Sequence, residues 1–420
     1  MMDVERIVQS AEEELSGAFA RAEQTERLTF SRVMDAFHAH NVAARHFAPS
    51  NGYGYGDDGR DVFEKVFAGA VGAQDALVRP GIASGTHALT ICLFALLRPG
   101  DTLLYASGAP YDTLHGVIGI HDPLPGSLRD WGIAYRQIDL TPQGEIDIDA
   151  LDATLKDDPT IRLVALQRSR GYSWRPTLTE ENMRAAIAAV KAARGGVRVM
   201  VDNCYGEFVR PLEPCSYGAD ATVGSLIKNP GGGLAPTGGY IAGSEEIVEA
   251  CAARLTAPNL RREIGSWQGG YQPYYQGLYM APHTVCQAIK GAMLAAAVFE
   301  RLGYCVSPRS CDERGDIIQA IELNDPQRVI AFCRAIQAAS PVDAHAAPEP
   351  WPMPGYDHEV IMAAGTFVGG ASIELSADAP MREPYIVYMQ GALSYEHARY
   401  AVVKAANLCY SKGYQKRKER

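Results

Sequence analysis

The sequence predicts an α/β protein: a mostly parallel central sheet with helices on both faces, plus a smaller C-terminal α/β domain. Three observations carry this. Short apolar runs alternate with helix-like segments from about residue 75 to 245, the pattern of strands joined by crossover helices. Unusual polar residues stand at the ends of several runs, where open parallel sheets bind ligands. After a long amphipathic segment at 283–303 the pattern changes to short strands and helices.

Residues 3–48 read as helical, with Phe30, Val33, Met34 and Phe37 at helical spacing, so this stretch packs against something. A glycine-rich loop follows at 50–60, then a helix from Asp61 to Phe67. Ala76–Val78 is a short strand. Thr86–Leu97 is a helix closed by Pro99-Gly100. Thr102–Tyr105 and Ile161–Gln167 are apolar strand-like runs. Glu180–Arg194 is an alanine-rich helix, capped by Thr179 and stopped by Gly195-Gly196. Val197–Val201 is a strand ending in Asp202, and Thr222–Ile227 a strand leading to Lys228. Tyr240–Ala242 follows a glycine break, and His283–Leu302 is the long helix. This divides the chain into an N-terminal helical arm with its loop (1–60), a large domain (61–282), and a linking helix with a small domain (283–420). The proline-rich stretch Pro341–Pro354 lies in the last.

The chain has 420 residues, 47% hydrophobic, with net charge −10. That length suits two or three domains, or one large α/β domain with appendages. The acidic balance argues against a nucleic-acid groove. The one basic cluster is the tail Lys412, Lys416, Arg417, Lys418, Arg420. No run approaches the ~18 apolar residues of a membrane span. No signal peptide is expected from the opening Met-Met-Asp-Val-Glu-Arg. The 9 cysteines show no C-x-x-C or zinc spacing, so they read as mostly buried thiols in a reducing cytoplasm, with no metal site expected.

Lys228 ends an apolar run and is followed at once by Asn-Pro-Gly-Gly-Gly. Burial there is expected to lower its pKa, which makes it a Schiff-base nucleophile candidate. Ser84-Gly85-Thr86 opens a helix whose free N–H groups and hydroxyls suit an anion. Asp202 could hold a protonated ring nitrogen, the partner that pyridoxal 5′-phosphate (PLP) needs. Tyr111 could stack on a planar cofactor. Each residue alone also has an ordinary reading, as cap, core ring or surface lysine. Their succession after consecutive strands is what favours one site. Gly54-Tyr-Gly-Asp-Asp-Gly59 matches the dinucleotide fingerprint, but residues 42–51 make a poor preceding strand. Ser225-Leu-Ile-Lys228 matches S-x-x-K, but its companions S-D-N and K-T-G are absent.

Longer segments carry a family resemblance. They include Gly54-Tyr-Gly with Gly59-Arg-Asp, Leu77-Val-Arg-Pro, Ser84-Gly-Thr-His and Gln167-Arg-Ser-Arg-Gly-Tyr172. Val201-Asp-Asn-Cys-Tyr-Gly-Glu-Phe208 and Gly224-Ser-Leu-Ile-Lys-Asn-Pro-Gly-Gly-Gly-Leu-Ala-Pro-Thr-Gly-Gly-Tyr240 are the longest. Tyr275-Gln-Gly-Leu, Gly315-Asp-Ile-Ile-Gln and Ile386-Val-Tyr-Met-Gln extend the match. From about residue 30 on, the chain resembles fold-type I PLP enzymes of the cystathionine/methionine group, in the methionine γ-lyase-like branch known as aluminium resistance proteins.

The resemblance implies that Lys228 carries PLP as a Schiff base and shuttles protons. It implies that Asp202 pairs with the pyridine nitrogen, that Ser84, Gly85, Thr86 and Ser225 hold the phosphate, and that Tyr111 stacks on the ring. Cys204 matches the small residue packing on the ring's other face. Tyr53 or Tyr55, with Arg60, resembles a loop reaching a neighbouring subunit's phosphate, which implies a homodimer or homotetramer with shared sites. Arg382 would clamp the carboxylate of a small amino-acid substrate. The activity implied is β/γ-elimination or γ-replacement on a sulfur-containing amino acid, with Tyr111 as acid for the departing thiolate. An aminotransferase, an aldolase, or an enzyme for a sulfonium substrate such as S-adenosylmethionine is the alternative. The chain departs from the wider group at Ile227, where a hydroxyl residue is common, at 261–274, and at Glu383.

Overall fold

The structure is a computed structural model that describes residues 4–353 and 355–413. Of the basic tail, Lys416, Arg417, Lys418 and Arg420 lie outside the described residues, as does Pro354.

The N-terminal arm is one helix, α1 (Val4–Ala39), which buries Val4, Val8, Ala11, Leu15 and Ala18 along one stripe. Helix α2 (Asp58–Ala70) starts three residues before the expected Asp61, because the Asp57 carboxylate accepts the Arg60 N–H and caps it. Then come β1 (Asp75–Arg79), α3 (Gly85–Leu96), β2 (Thr102–Tyr105), α4 (Asp112–Ile118) and β3 (Ala134–Gln137). Next are α5 (Ile148–Asp157), β4 (Ile161–Gln167), α6 (Glu180–Ala193), β5 (Arg198–Asp202), β6 (Ala221–Ser225) and β7 (Gly239–Gly243). These seven strands form one sheet in the order β1-β7-β6-β5-β4-β2-β3. The strands from β3 through β2, β4 and β5 to β6 are parallel.

Strand β7 runs antiparallel to both β6 and β1. The connection, residues 226–238, turns back with only a 3-10 turn and no α-helix, whereas a parallel return is usually made through an α-helical crossover. Strand β6 ends at Ser225 rather than Ile227, so Lys228 lies in the turn beyond the strand and opens a 3-10 turn at Asn229–Gly231.

After α7 (Glu245–Leu255), helix α8 spans Gln272–Arg301 with Pro282 inside it. The sequence suggests a start at His283 because proline usually ends a helix, but here the helix continues through it. The small sheet is antiparallel, in the order β10-β11-β12-β9-β8, and holds β8 (Cys305–Ser307), β9 (Gln319–Glu322), β10 (Val360–Ala363), β11 (Ser376–Pro380) and β12 (Ile386–Gln390). Helices α9 (Pro326–Ala339) and α10 (Tyr395–Gly413) complete it. Among the described residues no helix is long and apolar enough to cross a membrane.

One contact ties α8 to the turn after Lys228. A Cβ on Gly277 would stand 2.3 Å from the Gly231 carbonyl oxygen, and one on Gly231 would stand 1.9 Å from the Leu226 oxygen. In an open helix Gly→Ala adds ~1 kcal/mol of stability through helix propensity. Here the clash with backbone reverses that sign. Gly277→Ala is expected to cost ~1–3 kcal/mol, read as a lower midpoint in chemical denaturation; a raised midpoint would show that the contact can relax.

Candidate functional site

A cavity of about 410 Å³ opens at the carboxyl ends of β4, β5 and β6. Ser84, Gly85, Thr86, Tyr111, Asp202, Cys204, Ser225 and Lys228 all line it. Ser84 is the N-cap of α3, and its Oγ accepts the His87 N–H at 3.1 Å. Thr86 Oγ1 lies 2.8 Å from Thr113 Oγ1. A Cβ on Gly85 would come within 3.4 Å of both Cys204 Sγ and Ser225 Cβ, so the helix N-terminus, β5 and β6 converge at one point. Free N–H groups and hydroxyls there suit an anion.

Asp202 is buried at the end of β5, and its Oδ1 accepts the Cys204 N–H at 3.1 Å. Burial pushes its carboxyl up, while Lys228 and the Cys204 N–H pull it back. The loop after it is held by buried groups. Glu213 accepts Phe208 N–H at 2.7 Å and Asn203 Nδ2 at 2.9 Å, and Arg168 Nη1 reaches Asn203 Oδ1 at 2.8 Å. Tyr205 and Phe208 in this loop take φ of 70° and 61°, a costly backbone for non-glycine residues that surrounding structure must sustain.

Tyr205 places its ring 4.0 Å from Lys228 Nζ, a cation–π contact. The sequence gives no local sign of this contact. Burial works against the Lys228 ammonium, but Cys204, Tyr205 and Asp202 outweigh it and hold the pKa above the ordinary lysine value. The lowering expected from the sequence is therefore corrected. Burial also pushes the Cys204 thiol and the Tyr205 phenol up.

Four predicted residues lie elsewhere. Arg60 is buried and braces its own loop, with Nη1 donating to Gly54 O at 2.9 Å and Nε to Asp61 at 2.7 Å. Arg382 sits outside the cavity, where Nη2 donates to the Tyr172 carbonyl at 3.1 Å; the following Glu383 lines the same outer pocket. Tyr53 and Tyr55 are 74% and 64% exposed, with ring centroids 5.8 Å apart. In their place the cavity gains Gln167, Tyr172, Thr237, Tyr356, Ser376, Asp378 and Gln390. Gln167, Tyr172, Thr237 and Gln390 fall within the segments that carry the family resemblance, whereas Tyr356, Ser376 and Asp378 come from distant parts of the chain and carry no local motif. Gln167 Oε1 and Ser376 Oγ are buried there without a hydrogen-bond partner, which suits a wall that meets a ligand.

A donor-rich helix N-terminus, a buried carboxylate and a lysine around one cavity, on this sheet, define a PLP-dependent enzyme of fold type I. The chain belongs to the methionine gamma-lyase family, whose profile matches residues 4–410. It is 47% identical over 405 residues to the uncharacterized protein YnbB of Bacillus subtilis, covering 96% of each chain. A solved carbon–sulfur lyase involved in aluminum resistance from Clostridium novyi is 44% identical, with TM-score 0.92 over 96% of this chain and 94% of that one. The pyridoxal-5′-phosphate-dependent protein YhfS of Escherichia coli shares the fold at 16% identity, with TM-score 0.61 over 93% of this chain and 96% of that one. Family and fold point to pyridoxal 5′-phosphate as the cofactor and to a carbon–sulfur lyase-like enzyme.

Behind Lys228, Glu207 is fully buried, accepts Tyr240 OH at 2.7 Å, and leaves Oε2 unpaired. Burial raises its pKa from 4.5 to about 8, so the folded state prefers the acid form. That preference stabilises fully below pH 4.5 and is lost as pH rises towards about 8. Glu207→Gln keeps a neutral group, so its thermal midpoint is expected to gain on wild type between pH 5 and pH 8. A difference that stays constant with pH would show that Glu207 is not protonated in the fold.

Proposed function

We propose that the protein cleaves the carbon–sulfur bond of a small sulfur-containing amino acid by β- or γ-elimination, with γ-replacement as a variant of the same chemistry. The observation that carries this reading is Lys228 facing Asp202 across one cavity that also holds the α3 N-terminus. The residues present fit PLP. Ser84, Gly85, Thr86 and Ser225 would hold its phosphate, Asp202 its ring nitrogen, Lys228 its aldehyde carbon, and Tyr111 and Cys204 would flank the ring. Bound there, the cofactor supplies an electron sink for negative charge next to the substrate amino group.

Once the substrate amino group displaces it, Lys228 Nζ is a neutral amine that would take the proton from Cα; for a γ leaving group it would have to pass that proton on to the cofactor carbon it had held before taking a second one from Cβ. Asp202 would sit beside the ring nitrogen and favour its protonated form. Tyr111 has a narrower part than full acid. Its hydroxyl lies 2.7 Å from Tyr356 OH, and burial together with Tyr205 and Tyr356 raises its pKa well above the phenol value. It therefore donates a hydrogen bond to the departing sulfur and keeps its proton.

The exposed Tyr53 and Tyr55 support a homodimer or homotetramer, since two adjacent bare rings on a glycine-rich loop are suited to burial against a second subunit. Arg60 then acts from within, by shaping the loop that carries them.

The test is product release. Holoenzyme given L-methionine, L-homocysteine or L-cystathionine is expected to yield a keto acid and ammonia from at least one. Lys228→Ala should abolish this, a loss of several orders of magnitude in kcat. Amino transfer to an added keto acid, without release of sulfur, would replace this reading with an aminotransferase.

A further inference from the structure

The wall of the cavity contributed by the small sheet is built around a carboxylate. Asp378 lies on β11 and is 8% exposed. Its Oδ2 accepts Gln390 Nε2 at 2.8 Å from β12. Ser376 stands two residues before it, so both side chains share one face of the strand, and the Ser376 hydroxyl is buried without a partner. Burial raises the Asp378 pKa to about 6 against the pull of Gln390, Tyr172 and Lys228, so the carboxylate carries charge at neutral pH.

Three tyrosine rings line the same cavity. Tyr111, Tyr172 and Tyr356 form a triangle with centroid separations of 6.0, 6.2 and 5.7 Å. Ring faces and a carboxylate together make a cation site. Among the described residues Lys228 is the one cationic side chain lining the cavity, against two carboxylates, Asp202 and Asp378. Asp202 is matched to Lys228 and the cofactor. Asp378 is not required by any step above, and Arg382 lies outside the cavity, bonded to the Tyr172 carbonyl.

We propose that Asp378, with the rings of Tyr111, Tyr172 and Tyr356, forms a subsite for a positively charged leaving group. The substrate carries either an ammonium on the arm beyond sulfur or a sulfonium at the sulfur itself. This rests on the carbon–sulfur lyase reading and adds the charge of the substrate to it. It also agrees with the reluctance of Tyr111 to give up a proton. When a sulfonium is cleaved, the C–S electron pair returns to sulfur and a neutral thioether departs with no proton needed. When a thioether bearing an ammonium is cleaved, the pair leaves on a thiolate that solvent protonates outside the site.

The experiment uses holoenzyme and matched pairs that differ in charge. S-(2-aminoethyl)-L-cysteine is compared with S-propyl-L-cysteine, and S-methyl-L-methionine with L-methionine, by keto-acid release. The cationic member of at least one pair is expected to be preferred in kcat/KM by about tenfold or more. The pair that shows the preference tells ammonium from sulfonium. Asp378→Asn should cut that ratio by about tenfold, mainly through KM, while Asp378→Glu restores most of it. If Asp378→Asn folds poorly, Tyr356→Leu removes a ring without a buried charge and should lower the same ratio by a smaller factor. Three results overturn the proposal while leaving the lyase intact: no preference in either pair, an unchanged ratio in the variants, or an equal loss on all four substrates, which marks Asp378 as structural. Failure of wild type on every substrate, together with no sulfur release from L-homocysteine or L-cystathionine, overturns the lyase reading and the subsite with it.

Discussion

A buried carboxylate and a lysine beside one cavity are the constraint on which the rest of the molecule depends. Alone, either charge would be costly to keep away from water. Asp202 and Lys228 offset each other because β5 and β6 are neighbouring parallel strands that end on the same side of the sheet. The surrounding structure then serves to hold the two in place beside the cavity. Glu213 and Arg168 hold the loop that carries Tyr205, and the bare backbone contact between Gly277 and Gly231 holds the turn that carries Lys228. The N-terminus of α3 closes the third side, so an anion there also meets the positive end of a helix.

Electrostatically the cavity is acidic on two walls. The wall of the large sheet has Asp202 and is answered by Lys228. The wall of the small sheet has Asp378 and is answered by Gln390 and neutral hydroxyls. Tyrosines fill the space between, and their raised pKa values keep them neutral. A site of this kind binds an anion at one end, beside α3, and favours positive charge at the other.

Much of this was legible in the sequence where local pattern and chemistry coincide. Thr102–Tyr105 and Ile161–Gln167 are strands with those bounds, and Ser84, Asp202, Cys204, Ser225 and Lys228 do meet. The misses have physical causes. Strand β3 is a short edge strand with exposed polar residues, so it lacks an apolar signature. The direction of β7 depends on the path of its connection rather than on its own composition, and Pro282 hid the first turns of α8. The pKa of Lys228 could not be read from an apolar run, because the groups that raise it come from the neighbouring strand and its loop. In this single chain Arg60 and Arg382 bond backbone carbonyls, of Gly54 and of Tyr172, which their sequence positions do not announce. Asp378 and Tyr356 enter the cavity from the small domain, more than a hundred residues from Lys228, with no motif to announce them.

The central claim is that Lys228 is the residue that binds an aldehyde cofactor covalently. The direct measurement is borohydride reduction of the protein incubated with PLP, followed by mass mapping of the labelled peptides. A single pyridoxyl label on Lys228, absent without reductant, is the expected result. A protein that stays colourless with PLP and carries no label, or one labelled on other lysines while Lys228 is untouched, would contradict the account.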